Sequence, residues 1–161
     1  MKIKTLALVV APIWIISLST LVIAQQQTKQ EQCVKTSKTE VEQLFERWNQ
    51  SLQTGDPNNV VKNYAKNAIL LPTVSKKPRT TPAEIREYFV HFLEKQPVGK
   101  IVQSYIRVGC NFASNNGLYT FTILNNEQKK QVPARYSFEY QYINGQWLIV
   151  AHHSSKLPQE D

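Results

Sequence analysis

The spacing of apolar residues changes once along this 161-residue chain, and that change constrains the fold more than any other feature. Before Pro97 the apolar side chains recur at intervals of three and four, which is the repeat of an amphipathic helix. From Lys100 onward they alternate with polar residues, which is the repeat of a strand with one buried face. Helices followed by a run of strands are typical of an α+β domain, so we expect helices to pack on one face of a curved antiparallel sheet.

The helices have clear start signals. Residues 37–40 (Ser-Lys-Thr-Glu) and 81–84 (Thr-Pro-Ala-Glu) are capping boxes, in which a side chain and a glutamate satisfy the first backbone N–H groups. Gly55 predicts the end of the first helix, and Asp56-Pro57 predicts a short second one. The first box is followed by one apolar stripe, made of Val41, Leu44, Phe45, Trp48 and Leu52.

The strands are expected at 68–72, which is short, and then at 100–110, 118–124, 132–143 and 147–154. The last four form an antiparallel meander, with turns at "NNG" (115–117), "NNEQKK" (125–130) and "NG" (144–145). Asn-Gly between two apolar runs is a strong hairpin signal.

The first 24 residues have the layout of a secretory signal peptide: two lysines, an apolar run and a small-residue cleavage pattern at Val22-Ile23-Ala24. The alternative is an uncleaved membrane anchor, since about 18 apolar residues can just cross a bilayer. We expect cleavage, contact with the membrane only during export, and a secreted or periplasmic protein. Residues 25–36 then form a flexible lead-in, 37–158 one domain and 159–161 a tail.

The charge of the chain argues against a nucleic-acid partner. The net charge is +7, and removing Lys2 and Lys4 lowers it to +5. The basic residues are scattered, with pairs only at 76–77 and 129–130 and no interleaved aromatic residues. Nucleic-acid binding needs a basic stripe or a recognisable module, so we assign this charge to the solvated surface.

Two cysteines, Cys33 and Cys110, follow the predicted signal peptide. An even count in an exported chain favours one disulfide between them. A bridge between two chains is the alternative, and a reactive thiol is weaker because neither cysteine has a CxxC partner or an adjacent histidine.

Four segments together resemble a known family: "TEVEQLFERWNQSLQTGD", "NYAKNAILLP", "EIREYFVHFL" and "NGQWLIVAHHSSKLP". They are similar to the nuclear-transport-factor-2-like superfamily and, within it, to the association (hub) domain of calcium/calmodulin-dependent protein kinase II, including stand-alone exported bacterial members. The resemblance implies a cone-shaped α+β fold wrapped around a long N-terminal helix, a pocket at its open end and self-association through the sheet. It implies no kinase activity, because no glycine-rich phosphate loop or HRD-like motif is present. Where the animal hub has pocket arginines, this chain has Phe121, Phe138 and Ser154.

Alternation along each strand predicts which side chains face the helices. Val102, Ile106, Val108 and Cys110 share one such face, and so do the aromatic residues at 119–123 and 136–142. In the last strand Leu148, Val150, His152 and Ser154 form one set, and Trp147, Ile149, Ala151 and His153 form the other. A strand that is apolar on both sides is covered on both, so we expect His152 to face the pocket and His153 to face a partner copy of the chain.

The predicted pocket binds a small molecule through His152, Ser154, Tyr119, Tyr136, Tyr140 and Arg135, the last only if a bulge turns it inward. The alternative is an isomerase or cyclase, as in the ketosteroid isomerases and polyketide-cyclase-like proteins of the superfamily. Such an enzyme needs a base in an apolar cavity. The one acid inside a predicted strand, Glu139, faces away from the helices, which leaves His152 as the candidate base with Tyr64 among its possible phenolic partners. No cofactor or metal is expected, because adjacent histidines on a strand point apart and zinc needs converging ligands.

Overall fold

The computed structural model describes residues 32–73 and 75–158. The expectations for the signal peptide at 1–24, most of the lead-in and the tail at 159–161 lie outside the described residues. The elements are, in order, α1 (Lys38–Gln53), α2 (Pro57–Val61), β1 (Tyr64–Leu71), α3 (Pro82–Leu93), β2 (Val98–Val108), β3 (Phe112–Asn125), β4 (Gln128–Ile143) and β5 (Gln146–Lys156). The predicted α+β fold, with a curved sheet and an N-terminal helix, is confirmed.

The five strands form one sheet in the order β1-β5-β4-β3-β2. Strands β2 to β5 are the predicted antiparallel meander. The short strand β1 joins the edge of this sheet parallel to β5, a pairing that the sequence did not predict. The sheet is therefore mixed, and β1 brings the chain that follows it beside the end of β5.

Helix α1 begins and packs as its sequence predicts. The Ser37 hydroxyl accepts a hydrogen bond from the Glu40 N–H at 3.2 Å, and the Glu40 carboxylate accepts one from the Ser37 N–H at 2.7 Å. The predicted stripe is buried except for Leu44, which is half-buried, and Phe45 packs its ring against Tyr119, Tyr136 and Phe138 of the sheet. We call the sheet face that covers this stripe the inner face.

The turn predicted at "NNG" is wrong. Residues 115–117 lie inside β3, and the chain instead turns at 109–111, where Asn111 has a φ of +55°. Gly117 is needed for another reason: a Cβ atom at this position would lie 1.9 Å from the Gln103 carbonyl oxygen of the neighbouring strand. The glycine permits a close approach between backbones, and no local pattern separates that use from a turn.

Two β-bulges change the alternation that the sequence predicted. The register of β2 shifts between Ile101 and Gln103, which leaves Val102 65 % exposed on a strand face predicted to be buried. The register between β4 and β5 shifts at Val150, so Ile149 and His152 both face inward although simple alternation separates them. An extra residue in one strand reverses the facing of every residue beyond it.

The hairpin between β4 and β5 and the disulfide test two further predictions. The "NG" hairpin is confirmed, with φ of +49° at Asn144 and +85° at Gly145. Cys33 is bonded to Cys110, which lies in the turn between β2 and β3 and not on the predicted strand. Next to this disulfide, the backbone N–H of Asn111 donates a hydrogen bond of 3.0 Å to the carbonyl oxygen of Val34.

Within the described residues, no helix combines the length and the hydropathy of a membrane span.

Candidate functional site

A cavity of about 870 Å³ opens between α1, α3 and the inner face of the sheet. This volume falls within the range of about 300–1,000 Å³ that is usual for small-molecule sites. Its walls are mainly apolar and aromatic, and they include Trp48, Leu70, Tyr88, Phe89, Phe92, Tyr119, Phe121 and Val132.

His152 of β5 lines this cavity and is only 4 % exposed. Its ring stacks on Phe138, with 4.0 Å between the ring centroids, and the edge of Trp48 packs against it at 5.2 Å. Its Nδ1 is 2.8 Å from the hydroxyl of Tyr64, which accepts a hydrogen bond of 3.0 Å from Nε1 of Trp48. Its Nε2 has no hydrogen-bond partner among the described residues.

The surroundings of His152 keep its ring neutral. Burial lowers the pKa of His152 from 6.5 to about 3, and the charge of the neighbouring His153 contributes in the same direction. The charged imidazolium would lose its hydration in this aromatic environment, where no described carboxylate lines the cavity to compensate it. The same desolvation raises the pKa of Tyr64 well above 10, so its hydroxyl keeps its proton.

Ser154 forms a second polar point in the cavity, two residues after His152. The hydroxyl of Tyr119 donates a hydrogen bond to Oγ of Ser154 at 2.5 Å, and Oγ1 of Thr73 lies at the same distance from that atom. Thr73 follows β1, so the parallel pairing of β1 with β5 is what places its hydroxyl here. Two hydrogen bonds therefore join these three hydroxyl groups, and Ser154 takes part in both.

Basic side chains mark the mouth of the cavity. Lys95, Lys130 and Lys156 line it, and none of its described lining residues is acidic. None of these lysines takes part in an ion pair among the described residues. These exposed lysines contribute positive charge to the mouth, and salt screens that charge.

Three residues predicted to bind the ligand lie outside the cavity lining. Tyr136 and Tyr140 are on the inner face but further along β4, where α1 covers them. Arg135 is exposed on the opposite face, because the register between β3 and β4 is unbroken around it and no bulge turns it inward. His152, Ser154 and Tyr119 do line the cavity, and their role in binding stays a prediction.

Sequence reasoning missed Trp48, Thr73 and the three lysines as parts of this site. The helix stripe correctly predicts that Trp48 is buried, but it does not predict that its indole N–H donates a hydrogen bond to the Tyr64 hydroxyl. Thr73 has no local signal, because only the pairing of β1 with β5 places it next to Ser154. In the described part of the chain, no group of three or more histidine, cysteine, aspartate or glutamate residues is placed to hold a metal ion.

Comparison with known proteins agrees with this architecture. The family model of the calcium/calmodulin-dependent protein kinase II association domain matches residues 37–158. A structure of such an association domain from Xanthomonas campestris is 42 % identical, covers 78 % of this chain and 91 % of its own, and has a TM-score of 0.75. No curated protein is a match in sequence.

More distant structures share the fold. A nuclear transport factor 2-like protein from Salmonella enterica is 20 % identical, covers 76 % of this chain and 92 % of its own, and has a TM-score of 0.65. A protein from Novosphingobium aromaticivorans named as an aromatic ring hydroxylase is 16 % identical, covers 77 % of this chain and 94 % of its own, and has a TM-score of 0.67. The family model and the Xanthomonas structure show that this chain belongs to the calcium/calmodulin-dependent protein kinase II association-domain family, within the nuclear-transport-factor-2-like fold.

Proposed function

We propose that this protein is an exported, self-associating module whose cavity binds a small and mainly apolar molecule. The observation that carries the proposal is Nε2 of His152, a buried polar atom with no partner among the described residues, on a side chain that lines the cavity. Leaving such an atom unpaired costs about 1–3 kcal/mol, and a bound ligand that pairs with it recovers this free energy. A few polar groups in an apolar cavity are what orients a small ligand.

The geometry favours binding over the alternative of an isomerase or cyclase that uses His152 as general base. A general base is most effective when its pKa lies near the working pH. The pKa of His152 is lowered to about 3, so the ring takes up protons poorly at neutral pH. No acidic residue among the described lining residues is available to hold the resulting cation.

Self-association is supported by the family and by the outer face of the sheet. The family takes its name from association. On this outer face Ile69 and Leu71 of the edge strand β1 are 45 % and 40 % exposed, and Tyr105 of the opposite edge strand β2 is 61 % exposed. A partner copy that covers the sheet would remove these apolar side chains from water. His153 points to the same face, where it pairs with Leu71 and Ser137 in neighbouring strands.

Export is supported by the layout of residues 1–24 and by the disulfide between Cys33 and Cys110. Disulfides persist in oxidising compartments and are rare in the cytosol. N-terminal sequencing of secreted or periplasmic protein tests this part: a start near Gln25 is expected, and intact Met1 in a membrane fraction would contradict it.

The two adjacent histidines provide a matched test of binding and assembly. The protein, His152→Ala and His153→Ala are purified in parallel and compared by native mass spectrometry for retained ligand and by light scattering for mass. We expect the unchanged protein to be at least a dimer that retains a small molecule. His152→Ala should lose the ligand and keep the assembly. His153→Ala should weaken the assembly more than it weakens ligand retention.

Identical behaviour of the two variants would overturn this division of roles, and a mass near one chain for the unchanged protein would overturn self-association. Turnover of a bound compound that is lost in His152→Ala, with a pH dependence that follows one titrating group, would favour the enzyme instead.

A further inference from the structure

We infer that Trp48 and Tyr64 fix His152 as a hydrogen-bond donor, so that the cavity selects ligands with an acceptor, such as a carbonyl oxygen, at their buried end. The inference rests on the proposed binding function and names the class of ligand. It assigns a positioning role to Tyr64, which contacts His152 and does not itself line the cavity.

The direction of each hydrogen bond follows from what the groups can do. Nε1 of Trp48 is a donor only, so in its 3.0 Å contact the hydroxyl oxygen of Tyr64 must accept. The one proton of that hydroxyl is then free for its other partner, Nδ1 of His152, at 2.8 Å. Among the described residues these are the two hydrogen-bond partners of the Tyr64 hydroxyl. Nδ1 is therefore the acceptor in this pair.

An imidazole that accepts at Nδ1 and is neutral carries its proton on Nε2. Nε2–H is then a donor without a partner. Four buried side-chain atoms lack a partner among the described residues, on Arg79, Asn115, Tyr140 and His152, and of these residues only His152 lines the cavity. Among the other hydroxyl groups of the lining, those of Ser154, Thr73 and Tyr119 bind one another, and the side chain of Tyr88 is only half-buried.

The ligand class follows from this inventory. An aromatic or other apolar body fits walls made of Phe89, Phe92 and Phe121, and an oxygen that accepts a hydrogen bond suits Nε2–H of His152. A ligand that presents only a donor there would face another donor. A ligand that presents only carbon would leave Nε2–H unpaired, which is the loss that makes hydrogen-bonding sites selective.

The test uses two planar probes of the same shape, 2-acetylnaphthalene and 2-isopropenylnaphthalene, in which a carbonyl oxygen replaces a methylene group. Their dissociation constants are measured by calorimetry for the purified protein, for Tyr64→Phe and for Tyr140→Phe. Tyr140→Phe is the matched control, because it removes a buried hydroxyl that has no partner among the described residues and lies outside the cavity lining.

We expect the protein to prefer the ketone over the hydrocarbon by about tenfold, the size of one net hydrogen bond. Tyr64→Phe should reduce this preference, because the ring is then free to carry its proton on Nδ1 as well as on Nε2, and Tyr140→Phe should keep it. Equal affinity of the unchanged protein for the two probes would overturn the inference and leave the binding function standing. Binding of neither probe would overturn both.

A spectroscopic measurement keeps the inference testable even if Tyr64→Phe does not fold. The ¹⁵N shifts of histidine ring nitrogens distinguish the two neutral tautomers. In the unchanged protein at neutral pH, His152 should show a protonated Nε2 and an unprotonated Nδ1. The opposite tautomer, or a mixture of the two, would overturn the assignment of Tyr64 whatever the probes do.

Discussion

Two buried polar clusters lie on the inner face of the same sheet, and they differ in the space beside them. The cavity cluster consists of Trp48, Tyr64, His152, Ser154, Tyr119 and Thr73. The closed cluster consists of Ser104, Asn115, Tyr136 and Tyr140. In the closed cluster the Tyr136 and Ser104 hydroxyls donate to Oδ1 of Asn115 at 2.8 and 2.6 Å. Both clusters also contain buried atoms without partners among the described residues.

The space beside each cluster decides whether a buried atom without a partner is only a cost to stability or also a candidate contact for a ligand. Nδ2 of Asn115 and the hydroxyl of Tyr140 belong to residues outside the lining of the cavity, so we read their missing partners as a cost to stability. Nε2 of His152 has the same deficit, but its side chain lines a cavity of about 870 Å³, so a ligand is a possible source of the partner. The cavity, and not the missing bond itself, makes the second atom a candidate site.

The largest change in the free energy of unfolding should come from replacing Phe138, whose ring contacts residues of both clusters. Its ring is stacked on His152 at 4.0 Å and on Tyr140 at 5.9 Å, and it is fully buried. Phe138→Ala should lower the free energy of unfolding by about 3–5 kcal/mol, because it removes a large buried side chain and leaves a cavity. Urea unfolding measures the change.

Phe112→Ala provides the control for Phe138, since Phe112 is 37 % exposed and belongs to neither cluster. Its loss should be about 1 kcal/mol or less, as for most partly exposed positions. Equal losses for the two variants would contradict the idea that Phe138 holds the clusters together.

Acid should destabilise the cavity cluster and not the closed one. Burial holds the pKa of His152 at about 3 in the folded protein, against 6.5 for the ordinary side chain. Between these two values the unfolded chain binds a proton that the folded protein does not. Stability is therefore complete above about pH 6.5 and falls by about 1.4 kcal/mol for each unit that the pH drops below it.

His152→Gln should remove this component, which is measured as the difference between the urea unfolding free energies of the protein and the variant from pH 7 to pH 4. The difference is the relevant quantity because carboxylates add their own slope to both proteins. Burial raises the pKa of Tyr136 and Tyr140 above 10, so the closed cluster does not titrate in this window. Parallel curves for the protein and the variant would show that His152 does not carry the effect.

The smallest changes in stability are expected for two tyrosines of the closed cluster, and the two should differ from each other. Tyr136→Phe removes a hydrogen bond to Asn115 and should cost about 1 kcal/mol. Tyr140→Phe removes a hydroxyl with no partner among the described residues, so it should be neutral or stabilising. Thermal unfolding of the two variants side by side measures the difference. A larger loss for Tyr140→Phe than for Tyr136→Phe would mean that the Tyr140 hydroxyl has a partner after all.

The sequence by itself determined the elements that depend on near neighbours. The capping box at Ser37, the apolar stripe of α1 and the turn at Asn144-Gly145 each involve contacts within a few residues, and each was predicted correctly. The order of helices and strands gave the fold class, and the quoted segments gave the family, because both depend on patterns that extend along the whole domain.

Tertiary structure alone decided the composition of the candidate site. In the sequence Gly117 has the pattern of a turn residue, but in the structure it permits a close backbone contact with Gln103 of another strand. The bulge at Val150 reverses the alternation of β5, and it is what places Ile149 and His152 on one face. The hydrogen bond from Tyr64 to His152 joins residues 88 positions apart. Such contacts depend on strand register and packing between distant segments, and no local pattern in the sequence specifies them.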